Sequence, residues 1–359
     1  MKKNRLNKVL YEMNRNDLKQ MIITSAQSIF YLTGKWLRCG ERMIALIIKS
    51  NGDHVLIINK LFPIEDNLDI NVVWYDDSNN PIEILSRYID KEYTLGIDKD
   101  WPARFLLGLI ELKAAKMFVN SSYIVDRLRM VKDDEERELM RIASKKNDKV
   151  MLNLWNEFKE GKSEKYYVNV LRELYEQEGI SEFSFSPIIA FSPNGADPHH
   201  ETGNSKLRKG DSIVIDIGGI YKSYCSDMTR TVFFGKEPTK EHENIYNIVK
   251  DANINGINVV KEGIKFSDID NAARSYIQSN GLGEYFTHRT GHSIGIETHD
   301  FGDVSSNNDE EVKEGMIFSI EPGIYLANDI GVRIEDLVMV TKNGCEVLNS
   351  VTKDIVVIE

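Results

Sequence analysis

Four carboxylates in this chain sit where apolar neighbours would draw them out of water. Asp216 interrupts the run Ile213-Val214-Ile215-Ile217, and Glu321 follows Ile317-Phe318-Ser319-Ile320. Asp227 and Glu335 lie 11 and 14 residues further on, spacings that a hairpin folds into adjacency on neighbouring strands. Burying one ionised carboxylate is costly unless it is paired or bound to a metal, and a single such acid is an ordinary structural feature. Four together repel one another unless cations are shared among them.

A second signal is His288-Arg289-Thr290-Gly291-His292-Ser293-Ile294-Gly295, followed by His299. The chain has seven histidines, and three fall within these twelve residues. A histidine cluster alone is more often surface or core decoration, but beside four in-strand acids it reads as part of a ligand set. One imidazole with four carboxylates is a hard, oxygen-rich donor set that suits Mn²⁺ or Co²⁺ and, less selectively, Zn²⁺ or Fe²⁺. Two such ions ~3.5–4 Å apart, bridged by carboxylates and a hydroxide, are the usual arrangement for hydrolysis. The same stretch contains Gly291-x-Ser293-x-Gly295, the nucleophile motif of serine hydrolases. That chemistry needs an acid and then a histidine well after the serine, whereas the last histidine is His299, six residues on. The serine reading fails on order.

The elements that must position these groups show an internal echo. Ile215-Asp216-Ile217-Gly218-Gly219-Ile220-Tyr221 is matched by Ile320-Glu321-Pro322-Gly323-Ile324-Tyr325, and each is followed by a second acidic strand, at Asp227 and at Glu335. Two similar halves, each giving a pair of carboxylates, are expected. The acidic run Asp133-Asp134-Glu135-Glu136 suits the start of a long helix, and further helices are expected at 165–178, 240–260 and 267–280, the last with Ser267 and Asp270 as a capping box. From Met21 to about Val119, strand-like runs (Met21-Ile22-Ile23, Ala45–Ile48, Val55–Ile58) alternate with helical segments around 82–89 and 102–112. The fold class is therefore α/β (α+β) in two domains, 1–122 and 123–359.

At 359 residues the chain is long enough for two domains. Its 45 Lys and Arg against 56 Asp and Glu give a formal net charge of −11, which argues against nucleic acid. Cys39, Cys225 and Cys345 form no C-x-x-C pair, so neither a disulfide framework nor a thiolate zinc site is indicated. The basic start, Met1-Lys2-Lys3-Asn4-Arg5, leads into Leu6, Val9, Leu10 and Met13 at helical spacing rather than into a signal peptide. Apolar runs such as Met43 to Ile48 are far shorter than the ~20 residues of a membrane span. A cytoplasmic setting, no membrane and a small-molecule partner are expected.

The series Asp216, Asp227, His292, Glu321, Glu335 resembles the five-ligand signature of the prolidase, aminopeptidase P and methionine aminopeptidase family, over residues from about 123 to 359. Pro198-His199 and Tyr31-Leu32-Thr33-Gly34 in an N-terminal domain resemble the Xaa-Pro branch rather than the methionine branch, which lacks that domain. The resemblance implies a creatinase-like α/β domain followed by a pita-bread catalytic domain with pseudo-twofold halves. It implies two divalent ions, Mn²⁺ first, and hydrolysis of the Xaa-Pro bond in short proline-containing peptides by a metal-bridging hydroxide, in a homodimer. It makes Asp227 a bidentate ligand of one ion and has His292 complete the other, with Asp216, Glu321 and Glu335 distributed between or bridging them. Glu321 would also shuttle the proton, His199 and His299 would bind the substrate carbonyl or stabilise the tetrahedral intermediate, and His288 would orient the site. Arg333, on the face of Glu335, would pair with a ligand carboxylate, and Thr229 would donate to Asp227; Tyr325 is a further candidate. Methionine aminopeptidase activity, a catalytically silent binding relative and a metal-free amidinohydrolase are the alternatives; full retention of the five ligands counts against the last two. Trp36, Arg38 and Arg42 follow Gly34 in a loop that either stays solvated or reaches a neighbouring active site.

Overall fold

The computed structural model describes residues 1–64 and 67–359 and divides the chain into two compact units, Met1–Arg129 and Met130–Glu359. The sequence reading ended the first domain at residue 122; the helix Ser122–Met130 falls with the first unit up to Arg129.

In the first unit the helical spacing of the N-terminus gives α1 (Lys3–Arg15), which buries Val9 and Met13. Then come β1 (Gln20–Ile23), α2 (Ala26–Thr33), β2 (Ala45–Lys49), β3 (Val55–Asn59), β4 (Asn71–Tyr75), α3 (Pro81–Ser86), β5 (Thr94–Ile97), α4 (Ala103–Glu111), β6 (Met117–Asn120) and α5 (Ser122–Met130). The strands make one mixed sheet in the order β4-β3-β2-β1-β5-β6. Its apolar runs are buried because β2, β3 and β1 lie inside the sheet and pack on the helices through Ile22, Ile47, Ile57, Leu85 and Leu109. In the loop after α2, Trp36 stacks on Phe30 with Arg38 over its ring, and Arg42 makes a two-pronged pair with Asp77 at 2.9 and 2.8 Å.

The second unit opens on α6 (Asp134–Trp155), where Asp133 and Glu136 form a reciprocal capping box. It continues through α7 (Glu164–Gln177), β7 (Ile188–Phe191), β8 (Ser212–Ile217), β9 (Ile220–Tyr221), β10 (Tyr224–Cys225) and β11 (Met228–Phe234). A second series repeats the plan: α8 (Lys240–Val259), α9 (Phe266–Ser279), β12 (Gly291–His292), β13 (Asp303–Val304), β14 (Ile317–Ile320), β15 (Gly323–Leu326), β16 (Ile330–Arg333), β17 (Asp336–Thr341) and β18 (Gly344–Val347). The closing strand β19 (Val357–Ile358) joins the first half, whose sheet order is β19-β11-β8-β7; that of the second is β14-β17-β18.

Each half has a long helix, a shorter helix, two antiparallel strands and a small hairpin between those strands. A buried asparagine repeats as well: Asn147 on α6 donates to the carbonyl of Ile217 at 3.0 Å, and Asn253 on α8 donates to that of Ile320 at 2.8 Å. Each amide thus fixes the strand end beside a carboxylate. The echo is one of design rather than of register. Asp216 stands inside β8 opposite Thr229, whereas Glu321 lies one residue beyond β14, past the Ile320–Asp336 pair.

The expected capping box at Ser267 and Asp270 does not form. Helix α9 starts after Lys265, which makes no side-chain cap, and the amides of Phe266 and Ser267 donate instead to the carbonyls of Glu310 and Asn308. Ser267 donates to Asp309, and Asp270 accepts from Arg274 and Thr290. With its first amides already satisfied by a neighbouring chain segment, the helix has no need of a side-chain acceptor.

Candidate metal centre

Strand pairing brings the acids together from both halves. The β8–β11 ladder puts Asp216 opposite Thr229 and ends beside Asp227; the β14–β17 ladder ends beside Glu321 and Glu335. The halves are joined where Glu335 N–H donates to the carbonyl of Thr229 at 3.1 Å and Arg333 N–H donates to the hydroxyl of Thr231 at 3.1 Å. His292 arrives on β12, which runs against β14: its amide donates to Ser319 Oγ at 3.0 Å, and Glu321 N–H donates to the carbonyl of Thr290 at 2.7 Å. Only glycine permits that approach at 291, since a Cβ there would lie 1.9 Å from the Ser319 carbonyl oxygen.

The result is a cavity of about 470 Å³ lined by all five expected ligands, by His199, His288, His299 and Arg333, and by Arg289, Phe185, Ile188 and Pro198. Thr229 and Tyr325 stand behind its wall. Asp227, His292 and Glu335 are buried and bring one ligand atom each to within 4.8 Å of the others. His292 Nε2 lies 3.6 Å from Asp227 Oδ2 and 3.5 Å from Glu321 Oε1. Its Nδ1 is 3.2 Å from the carbonyl of Ser293; a carbonyl only accepts, so Nδ1 carries the proton and Nε2 turns its lone pair to the acids. Burial, helped by His299, pushes the His292 imidazole down to about 3, so it is neutral near pH 7.

The carboxylates behave in the opposite sense. Burial, reinforced by Glu335, Asp216 and Glu321, holds Asp227 well above the usual carboxylate range; burial, then Glu321 and Asp216, does the same to Glu335. Glu321 is pushed up to about 7 by burial and the charge of Asp216, against the pull of Arg333. Asp216 Oδ1, Asp227 Oδ1 and Glu335 Oε1 are buried and accept no hydrogen bond among the described residues. Buried carboxylate oxygens normally find donors. Buried carboxylate oxygens without donors, in a cluster that also presents a neutral imidazole nitrogen, fit divalent cations.

A polar chain lies behind the acids. Arg333, 3% exposed, meets Asp216 Oδ2 at 2.7 Å and donates to Thr229 Oγ1 at 3.1 Å and to Tyr325 Oη at 3.0 Å. Tyr325 Oη lies 2.9 Å from His288 Nε2, and His288 Nδ1 lies 2.7 Å from the carbonyl of Arg289. The same rule makes Nδ1 the donor, so the tyrosine hydroxyl donates to Nε2. Burial, then the Arg333 charge, pushes His288 down to about 4, and burial with Arg289 lowers His299.

Two expectations are corrected. Thr229 donates at 2.8 Å to Glu335 Oε2 and not to Asp227, because the join between halves draws residue 335 alongside β11. Arg333 and Glu335 do not share a strand: β16 ends at Arg333 and β17 starts at Asp336. Ser293 is 1% exposed, and its Oγ would meet a Cβ on Gly302 at 2.8 Å, away from the cavity lining. Burial thus joins chain order in excluding a serine nucleophile. Sequence reasoning gave no role to Ser319, whose hydroxyl receives the His292 amide and donates to Glu321 Oε1 at 3.2 Å; it is the one polar residue in the run 317–320. Arg289, quoted in the histidine motif, lines the cavity and pairs with Asp303.

The model of metallopeptidase family M24 matches residues 138–342, and that of the creatinase/prolidase N-terminal domain matches residues 5–131. The chain belongs to metallopeptidase family M24. It is therefore a hydrolase that works with divalent metal ions, built as a creatinase-like domain followed by a pita-bread catalytic domain. An uncharacterised peptidase of Staphylococcus aureus (strain bovine RF122 / ET3-1) is 36% identical, over 97% of this chain and 99% of its own. A recombinant prolidase from Thermococcus sibiricus is 34% identical with a TM-score of 0.93, covering 100% of this chain and 99% of that one. An Xaa-Pro dipeptidase from Bacillus anthracis is 26% identical with a TM-score of 0.90, covering 100% of both. Among the described residues of this M24 peptidase, no helix is long and apolar enough to cross a membrane.

Proposed function

We propose that this M24 peptidase hydrolyses the Xaa-Pro bond of short peptides with two divalent ions, Mn²⁺ first among them, held by Asp216, Asp227, His292, Glu321 and Glu335. The observation that carries the reading is the cluster of Asp227, His292 and Glu335, whose ligand atoms lie within 4.8 Å of one another, in a cavity where Asp216, Asp227 and Glu335 each keep a buried oxygen without a donor among the described residues. The substrate class rests on the likeness to the prolidase and the Xaa-Pro dipeptidase. Cavity size supports it: about 470 Å³ suits a small peptide rather than a protein segment. A cytoplasmic homodimer belongs to the same reading.

The bound ions supply Lewis acidity toward the scissile carbonyl and the attacking water. Glu321 takes the proton from that water and returns it to the leaving proline nitrogen. An Xaa-Pro bond is a tertiary amide without N–H, so a site that grips its substrate as an added strand loses a donor there. None of the contacts assigned here uses that hydrogen. His199 and His299, on the cavity wall, donate to the carbonyl oxygen as charge develops on it. Arg333 balances Asp216 and holds Tyr325, which orients His288. Phe185, Ile188 and Pro198 supply apolar surface for side chain and ring.

Turnover of an Xaa-Pro dipeptide, an Xaa-Pro-Xaa tripeptide and a Met-Ala peptide by Mn²⁺-loaded enzyme tests the reading. Cleavage confined to one or both proline peptides is expected. Preference for Met-Ala, or equal rates on peptides without proline, would replace it.

A further inference from the structure

Outside the acid cluster the second unit buries another carboxylate, and its chemistry is the reverse. Glu164 opens α7, where the positive helix end favours an acid, and its side chain has no exposure. Oε1 accepts from Phe191 N–H at 3.0 Å and Asn194 Nδ2 at 2.8 Å; Oε2 accepts from Gly203 N–H at 2.7 Å and lies 2.9 Å from His200 Nε2, which donates. The carboxylate's acceptor positions are filled, whereas Asp216, Asp227 and Glu335 each keep an oxygen without a donor among the described residues. Glu164 is thus a clamp rather than an ion ligand. What it clamps is the segment 192–202, whose only regular element is the single turn Asn194–Ala196. The segment is held at its start (Phe191, Asn194), near its end (Gly203) and at His200. Pro198 and His199, between the held points, line the catalytic cavity.

We propose that Glu164 and His200 are a positioning pair that fixes His199 toward the substrate; this rests on the reading of His199 as a substrate contact. His200 is the next residue to His199, so anchoring its ring limits where the His199 ring can go. Asp197 completes the turn by accepting the His199 amide at 3.0 Å on Oδ1 and the His200 amide at 3.1 Å on its carbonyl. Glu164→Gln turns an amide N–H₂ toward two donors and must release one side of the clamp. His200→Ala removes one bond and leaves three, which guards against a variant that fails to fold.

The test uses Mn²⁺-loaded enzyme and an Xaa-Pro dipeptide for turnover, and enzyme loaded with diamagnetic Zn²⁺ and histidine labelled at ¹³Cε1, whose seven ring signals report each imidazole, for the spectra. Both variants are expected to keep their ions and lose roughly 10–100-fold in kcat/KM, mainly in kcat, the scale of a misplaced catalytic contact. The His199 signal should move while those of His54 and His292 stay. In a His199→Ala background Glu164→Gln should cost nothing further. An unmoved His199 signal, or losses that simply multiply, would overturn the proposal. If His199→Ala left turnover intact, the substrate role of His199 would fall on its own, and the spectrum would still decide whether the pair positions its ring.

Discussion

Replacing Thr229 by valine removes one hydroxyl and nearly nothing else, at a point where it serves both an acid and a cation. Thr229 is fully buried; its Oγ1 donates to Glu335 Oε2 at 2.8 Å and accepts from Arg333 Nε at 3.1 Å. Glu335 Oε1 already lacks a donor, so in Thr229→Val neither oxygen of that carboxylate keeps a hydrogen bond among the described residues. Arg333 keeps Asp216 and Tyr325 and loses its Nε acceptor. Each group left unpaired costs about 1–3 kcal/mol, more when charged, so the metal-free variant should lose about 2–6 kcal/mol. At about 2–4 °C per kcal/mol for a domain of this size, that lowers Tm by roughly 5–20 °C. Saturating Mn²⁺ should return part of the loss by giving Glu335 a cation, and the half-saturating Mn²⁺ concentration for turnover should rise about 10–100-fold, as when the partner orienting a ligand is removed. Calorimetry with chelator and with Mn²⁺, beside a Mn²⁺ titration of activity, reads both effects. A Tm within about 2 °C of the parent in chelator, with an unchanged Mn²⁺ midpoint, would refute the view that this hydroxyl supports the ligand Glu335.

His299→Ala should retain its ions and lose about 10²-fold or more in turnover, the cost of a transition-state contact; ion loss in elemental analysis would make His299 a ligand instead. The pH dependence of ion binding follows from Glu321, whose folded pKa of about 7 lies above its ordinary value. Proton binding there stabilises the metal-free fold fully below about pH 4.5, and this stability is lost as pH rises through 7. Mn²⁺ replaces the proton, so the Mn²⁺-induced rise in Tm should grow between pH 5 and 8, and Mn²⁺ added at pH 6 should release about one proton or more per chain. An equal or larger rise at pH 5 would contradict it. Gly291→Ala must push β14 away from the 1.9 Å contact at Ser319, separating His292 from Glu321, so its Mn²⁺ affinity should fall roughly tenfold or more; parental affinity in equilibrium dialysis would contradict that.

What the sequence disclosed is what local pattern can carry. Apolar runs broken by one acid located Asp216 and Glu321, and the repeated hairpin located Asp227 and Glu335, because strand periodicity and turn length act over a dozen residues. The acidic start of α6 was legible for the same reason. Partner choice was not. Thr229 serves Glu335 because the amide of residue 335 bonds to the carbonyl of residue 229 across more than a hundred positions, and no local pattern encodes that join. Helix α9 is capped by carbonyls from residues 308 and 310, so a plausible local capping box was idle. Glu164 looked like any helix-starting acid, although it gathers a loop from 27 to 39 residues away.

The central claim is that five side chains hold two ions and that turnover of Xaa-Pro peptides depends on both. Apo enzyme titrated with Mn²⁺, with bound ions counted by elemental analysis at each point and turnover of an Xaa-Pro dipeptide measured in parallel, tests it directly. Two ions per chain at full activity are expected, with Glu335→Ala losing at least one ion and nearly all turnover. Full activity at one ion or fewer, or turnover that persists after the ions are stripped, would contradict it.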